Sequence, residues 1–154
     1  NDETETCGCG RKGCLEQYAS ATGLVRLTKR YFEKNTKNSI LNKKEITAKE
    51  VFDAAKAGDE AALEITEEFG AYLGQALVNL AATVDPAVFV IGGGVSKAGD
   101  ILLDIVRKYF YDHAFYGNQK TKILLATLGN DAGIYGAAKQ VLYILIAVGK
   151  REAL

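Results

Sequence analysis

The sequence predicts a helix-rich α/β protein built on a parallel sheet. Two short apolar runs, residues 87–91 and 122–126, are separated by a stretch of helical periodicity, and another helical stretch follows the second run. A strand, helix, strand, helix order joins its strands by crossovers and so makes them parallel. Three helical segments come before this unit. Two strands are too few for a sheet buried on both faces, so the remaining strands are expected to lie outside these 154 residues. The complete lack of methionine, including at position 1, agrees with a piece of a longer chain. An edge of the first strand is then expected to be unpaired or covered by another chain.

Each element has its own signal. Residues 15–34 carry Leu15, Tyr18, Ala19, Thr22, Val25, Leu27 and Phe32 as an approximate apolar stripe and read as one helix, interrupted at Gly23. The polar stretch 35–44 reads as a loop. Thr47 followed by Glu50 is a capping box for a second helix, which closes at Gly58. Asp59 opens a third, with Ile65, Phe69, Leu73, Leu77, Leu80 and Val84 on one face. Asp85-Pro86 stops it, because the residue before proline is pushed out of the helical region.

The run 87–91 reads as a strand buried on both faces. Gly92, Gly93 and Gly94 end it, and Ser96 is the expected N-cap of a helix over 97–115. The second strand, 122–126, leads to a turn at 129–133 and a last helix reaching 148. Val141-Leu-Tyr-Ile-Leu-Ile146 in that helix is nearly all apolar and is expected to pack in the core rather than at an interface, with some of it exposed where part of the domain lies outside these residues. By region, 1–16 form a cysteine loop, 17–85 a helical part and 86–154 the strand-containing unit.

Composition limits the function classes. Apolar residues make up 48% and charged residues 25%, as in a soluble globular protein. Nineteen basic residues balance nineteen acidic ones, so no positive field draws nucleic acid or anionic lipid. No apolar run is long enough to span a bilayer and the amino terminus is not signal-like, so a cytoplasmic location is expected.

Cys7, Cys9 and Cys14 are the only cysteines, and glycines at 8, 10 and 13 permit a tight loop between them. Three thiols at this spacing can share a zinc ion with a fourth ligand from elsewhere. The alternative is a disulfide or free thiols, although an odd count leaves one thiol over. The lone histidine, His113, reads as an ordinary helix-end residue. Glu16 on its own reads as a first-turn glutamate favoured by the helix dipole, and the triple glycine as a sharp turn.

Taken together, these segments resemble the ROK family of bacterial sugar kinases and sugar-responsive repressors. Cys7-Gly-Cys-Gly-Arg-Lys-Gly-Cys-Leu-Glu16 is similar to the family's zinc motif C-x-C-G-x-x-G-C-x-E. Residues 87–96 resemble its V-x-G-G-G-V-S segment, and residues 129–138 its closing G-x-A-G-x-x-G-A-A segment. Within the family the resemblance is greatest to the glucokinases.

The resemblance implies the C-terminal part of an actin-like ATPase (ribonuclease H-like) fold, in which two α/β domains close on sugar and ATP. It implies that Glu16 hydrogen-bonds sugar hydroxyls. Gly92, Gly93, Gly94, Val95 and Ser96 would approach the nucleotide, with Asn130, Asp131 and Gly133 on the adenosine side. Cys7, Cys9 and Cys14 would hold a structural zinc whose fourth ligand, a histidine, falls before residue 1. The catalytic aspartate and the first phosphate loop of such kinases belong to the front half, so these residues alone are expected to be inactive. The implied reaction is ATP- and magnesium-dependent phosphorylation of glucose or a related hexose (N-acetylmannosamine, N-acetylglucosamine, fructose) by a homo-oligomer. The alternatives are a ROK repressor, the one reading that brings in nucleic acid, or a bare zinc-stabilised interaction domain.

Overall fold

The computed structural model describes residues 4–151. The elements run α1 (Glu16–Ala19), α2 (Ala21–Lys34), α3 (Ala48–Lys56), α4 (Glu60–Val84), β1 (Val88–Ile91), α5 (Asp100–His113), β2 (Lys122–Leu125) and α6 (Ala132–Arg151). Short 3-10 turns at Gly94–Ala98, Tyr116–Asn118 and Gly129–Asp131 join the later ones. No helix among the described residues is long and apolar enough to cross a membrane.

The helical part forms where the sequence carries capping chemistry. Thr47 accepts the Glu50 amide and Glu50 accepts the Thr47 amide, so the capping box starts α3. Asp59 accepts the Ala62 amide and starts α4. Helix α4 ends at Asp85, whose φ of 41° lies in the left-handed region. Asn118 ties this end down by donating to the Ala81 carbonyl at 3.2 Å and to Asp85 Oδ1 at 2.8 Å. The core gathers Leu24, Val51, Phe52, Ile65, Phe69, Leu102, Val106 and Phe110 from α2 to α5. Two buried threonines are satisfied within their own helices, Thr28 on the Leu24 carbonyl and Thr66 on that of Ala62.

Residues 15–34 form two helices rather than one, and the break is at Ser20, not Gly23. Ser20 is extended (φ −124°, ψ 175°) and caps α2 by accepting the Gly23 amide at 3.0 Å. Gly23 lies inside α2 for another reason. A methyl group there would sit 2.8 Å from the Tyr18 carbonyl carbon, so the absent side chain lets α1 pass close to α2.

The two strands are parallel, with Val88 opposite Lys122 and Ile91 opposite Leu125. Among the described residues β1 pairs with β2 alone, so its other edge is open, as the sequence predicts. Burial on both faces does not hold. Phe89 and Ile91 turn toward the core, where Phe89 meets Phe110 edge-on at 6.0 Å, while Val88 and Val90 remain 41% and 61% exposed. Period-two alternation gives β1 two faces, and only one of them meets the helical core.

Two further expectations are corrected. Ser96 does not cap the next helix; it lies in the 3-10 turn and its hydroxyl donates to the Gly93 carbonyl at 2.7 Å. Gly99, at φ 76°, takes the cap position and α5 starts at Asp100. Helix α6 does not enter the core over its described side chains: Ile134, Tyr135, Val141, Leu142, Tyr143 and Ile144 are all exposed. The side chains of Leu145 and Ile146 lie outside the described set.

Candidate functional site

The cysteine loop is shaped by its own backbone. The Cys7 amide donates to the Arg11 carbonyl at 2.7 Å and the Gly10 amide to the Cys7 carbonyl at 2.8 Å. Gly10 and Gly13 hold φ values of 82° and 74°, which side-chain-bearing residues adopt only with strain. Gln17, buried beneath the loop, accepts the Cys14 amide and donates to the Glu5 carbonyl, both at 3.1 Å, and so closes the loop from below.

The three Sγ atoms converge within 4.8 Å of one another, with Cys9 and Cys14 at 3.4 Å, and all three cysteines are free. Sulfurs about 2.3 Å from a tetrahedral zinc would stand about 3.8 Å apart, so this arrangement fits such an ion. Protonation follows the same crowding. A hydrogen bond from the Arg11 backbone, with those of Cys14 and Cys7, draws the Cys9 thiol below its ordinary value. The hydrogen bond to Cys9 pushes Cys14 up to about 11. All three could ionise together only with a cation between them.

Glu16 follows the loop directly as the first residue of α1. Its Oε1 accepts from Thr22 Oγ1 at 2.7 Å and from Ser20 Oγ at 3.3 Å, and its Oε2 from Cys7 Sγ at 3.6 Å. The Thr22 hydrogen bond is the main cause that holds its carboxyl below the usual range; those of Cys7 and Ser20 and the charge of Arg26 add to it against desolvation. Gln17, Ser20 and Thr22 carry no signal in the motif. Thr22 even counts toward the apolar stripe of the sequence, yet it is exposed and serves Glu16 instead.

The glycine segment lies at the carboxyl end of β1. Gly93 has φ 79° and ψ −164°, a conformation close to exclusive to glycine. A methyl group on Gly92 would meet Ala126 Cβ at 3.4 Å, and one on Gly94 would meet Ala21 Cβ at 3.8 Å. Val95 is half-buried, and Ser96 folds back onto Gly93. The turn Gly129–Asp131 lies beside this segment at the carboxyl end of β2. It is held by the Asp131 amide on the Leu128 carbonyl at 3.1 Å, and Gly133 follows in the exposed first turn of α6. The carboxyl ends of parallel strands are where α/β folds take ligands.

The structure thus gathers most of the candidate residues. Glu16 is fastened to the start of α2, and Ala21 at that start lies 3.8 Å from where a side chain on Gly94 would begin. The two glycine turns stand side by side. A cleft of about 150 Å³ between α3 and the segment 94–98 joins Gly94 and Val95 of the glycine motif to residues the motifs do not mark, with Phe52 in its wall and Lys49, Asp53, Lys56 and Lys97 around it. His113 is not part of the site: its ring stacks on Tyr109 at 4.0 Å and Nδ1 bonds the Tyr109 carbonyl.

Comparison with known proteins places this geometry. Residues 1–143 match the ROK family. The chain is 42% identical over 135 residues to a glucokinase of Halalkalibacterium halodurans, covering 84% of this chain and 41% of that protein. It is 32% identical over 132 residues to an N-acetyl-D-glucosamine kinase of Vibrio cholerae, covering 86% and 40%. Among solved structures, a ROK family glucokinase from Streptomyces griseus in complex with glucose and AMPPNP superposes with a TM-score of 0.78 at 35% identity, over 91% of this chain and 48% of that one. The chain spans less than half the length of these relatives.

Proposed function

Because the chain belongs to the ROK family, we propose that it is the C-terminal part of an ATP-dependent hexose kinase that phosphorylates glucose at its 6-hydroxyl. The observation that carries this reading is that Ala21 Cβ lies 3.8 Å from where a side chain on Gly94 would begin, so the start of α2, to which Glu16 is bonded, comes near the first glycine turn. A kinase needs sugar and nucleotide side by side, since phosphoryl transfer is achieved mainly by positioning and charge stabilisation.

In this reading Glu16, ionised and held from behind by Thr22 and Ser20, accepts hydrogen bonds from sugar hydroxyls. Gly92, Gly93 and Gly94 bring bare backbone to the nucleotide, with Val95 and Ser96 behind them, while Asn130, Asp131 and Gly133 border the adenosine side. Cys7, Cys9 and Cys14 would hold zinc together with a fourth ligand from outside these residues, and a closed four-ligand shell would give it a structural role, fixing the loop in front of Glu16. Magnesium on ATP supplies charge neutralisation at the transferring phosphoryl group. The base that takes the sugar hydroxyl's proton comes from outside these residues.

A second reading, a kinase for N-acetylglucosamine, draws on the Vibrio relative. A coupled phosphorylation assay on the whole protein separates them, with glucose, N-acetylglucosamine and N-acetylmannosamine offered in turn. ATP-dependent turnover that prefers glucose is the expected result. Preference for an N-acetyl sugar would move the assignment to that substrate. Absence of transfer to any hexose would overturn the kinase reading.

A further inference from the structure

We infer that Thr22 is the positioning residue of the sugar site: its hydroxyl fixes Oε1 of Glu16, so the carboxylate meets a sugar hydroxyl in one orientation. The inference rests on the reading of Glu16 as the sugar-binding carboxylate.

The hydroxyls around Glu16 form an ordered chain. The Gly23 amide, at the start of α2, donates to Ser20 Oγ at 3.0 Å. Ser20 Oγ lies 2.8 Å from Thr22 Oγ1 and 3.3 Å from Glu16 Oε1, and Thr22 Oγ1 donates to Glu16 Oε1 at 2.7 Å. Each hydroxyl has one proton to give. Thr22 gives its one proton to the carboxylate, so it can only accept from Ser20, whose own proton is shared between Thr22 Oγ1 and Glu16 Oε1. A run of bonds that begins at a helix amide and ends on an anion is polarised in one direction, which strengthens its last link.

Thr22 is singled out by what it does not do. Ser20 also caps α2, so its loss damages the helix as well as the site. Thr22 is exposed, as is Glu16, and no methyl at position 22 belongs to the core. A free glutamate side chain at the surface loses much rotamer freedom when it is ordered. Ordering it before the sugar arrives removes that cost from binding. Because the hydrogen bond exists with or without sugar, its loss should appear in the affinity for sugar rather than in the rate of transfer.

The test compares Thr22→Val, which keeps the shape without the donor, with Thr22→Ser, which keeps the donor without the methyl. Both are made in the whole protein beside Glu16→Gln. The expected result for Thr22→Val is a glucose KM raised about tenfold, the factor set by one hydrogen bond to a charged group. Its kcat, its KM for ATP and its unliganded melting temperature should stay near wild type, and Thr22→Ser should recover the glucose KM. Glucose affinity by calorimetry is read alongside and must shift in the same way. A wild-type glucose KM in Thr22→Val, with a raised one in Glu16→Gln, would overturn the inference and spare the Glu16 reading. Equal impairment of Thr22→Ser and Thr22→Val would also overturn it, by assigning the effect to the methyl. An unchanged glucose KM in Glu16→Gln would overturn both.

Discussion

Gly70 of α4 and Ile105 of α5 approach so closely that a methyl group on Gly70 would lie 2.1 Å from Ile105 Cγ2. One turn further on, a methyl on Gly74 would lie 2.7 Å from Tyr109 Cδ1. The two helices meet over a pair of glycines because Ile105 and Tyr109 occupy the space that side chains at 70 and 74 would fill. Gly70→Ala gains about 1 kcal/mol of helix propensity but faces an overlap that a β-branched neighbour cannot relieve by rotation alone. Overpacking of this kind costs about 1 to 3 kcal/mol. Chemical denaturation should show net destabilisation, and Gly70→Ala combined with Ile105→Ala should recover part of it in a double-mutant cycle.

The capping box of α3 gives a pH dependence of known sign. The hydrogen bond from Lys43, then those from the Thr47 hydroxyl and amide, lower the Glu50 carboxyl from 4.5 to about 2. A depressed folded-state value means the stabilisation is complete above the unfolded value and is lost as the pH falls from about 4.5 through about 2. Glu50→Gln should therefore flatten that part of the stability curve relative to wild type, measured by urea midpoints between pH 5 and pH 2. Thr47→Ala should cost about 1 kcal/mol at neutral pH.

Gly93→Ala forces an L residue into φ 79° and ψ −164°. Such a conformation costs about 1 to 3 kcal/mol, and the new Cβ meets no neighbouring atom within 4 Å in the structure. The strain should lower the melting temperature modestly. If the segment faces nucleotide as proposed, the KM for ATP should rise while that for glucose changes little.

For the cysteines the readout is metal content. Whole protein purified without chelator should carry zinc, measured by atomic emission, and Cys9→Ser should lower both the zinc retained and the melting temperature, since metal binding is coupled to folding of the loop. Full retention of zinc in Cys9→Ser would remove this loop from the ligand set.

Local chemistry was legible in the sequence; contacts between distant segments were not. Thr47 with Glu50, Asp59, and Asp85-Pro86 mark helix ends through groups a few residues apart, and the structure starts or stops its helices there. The convergence of Cys7, Cys9 and Cys14 follows from spacing and glycines alone. The break at Ser20 was hidden because Ser20, Ala21, Thr22 and Gly23 fit a helical period, and only the Gly23 amide on Ser20 Oγ reveals a cap. Ser96 reads as a cap by position, but Gly99 can enter a backbone region closed to serine and takes over that place. The exposed face of β1 and the cleft beside α3 depend on which elements pack together, and no local pattern encodes that.

Gly23 is a position with little freedom to change. Besides Tyr18, a side chain there would press on the Gln17 carbonyl carbon and the Glu16 carbonyl oxygen, both 2.9 Å from the added methyl. Any replacement would push α1 away from α2 and carry Glu16 off Thr22. Exposed positions such as Lys29 can accept new side chains, while Gly23, which has none, cannot, because it sets the spacing on which a neighbouring carboxylate depends.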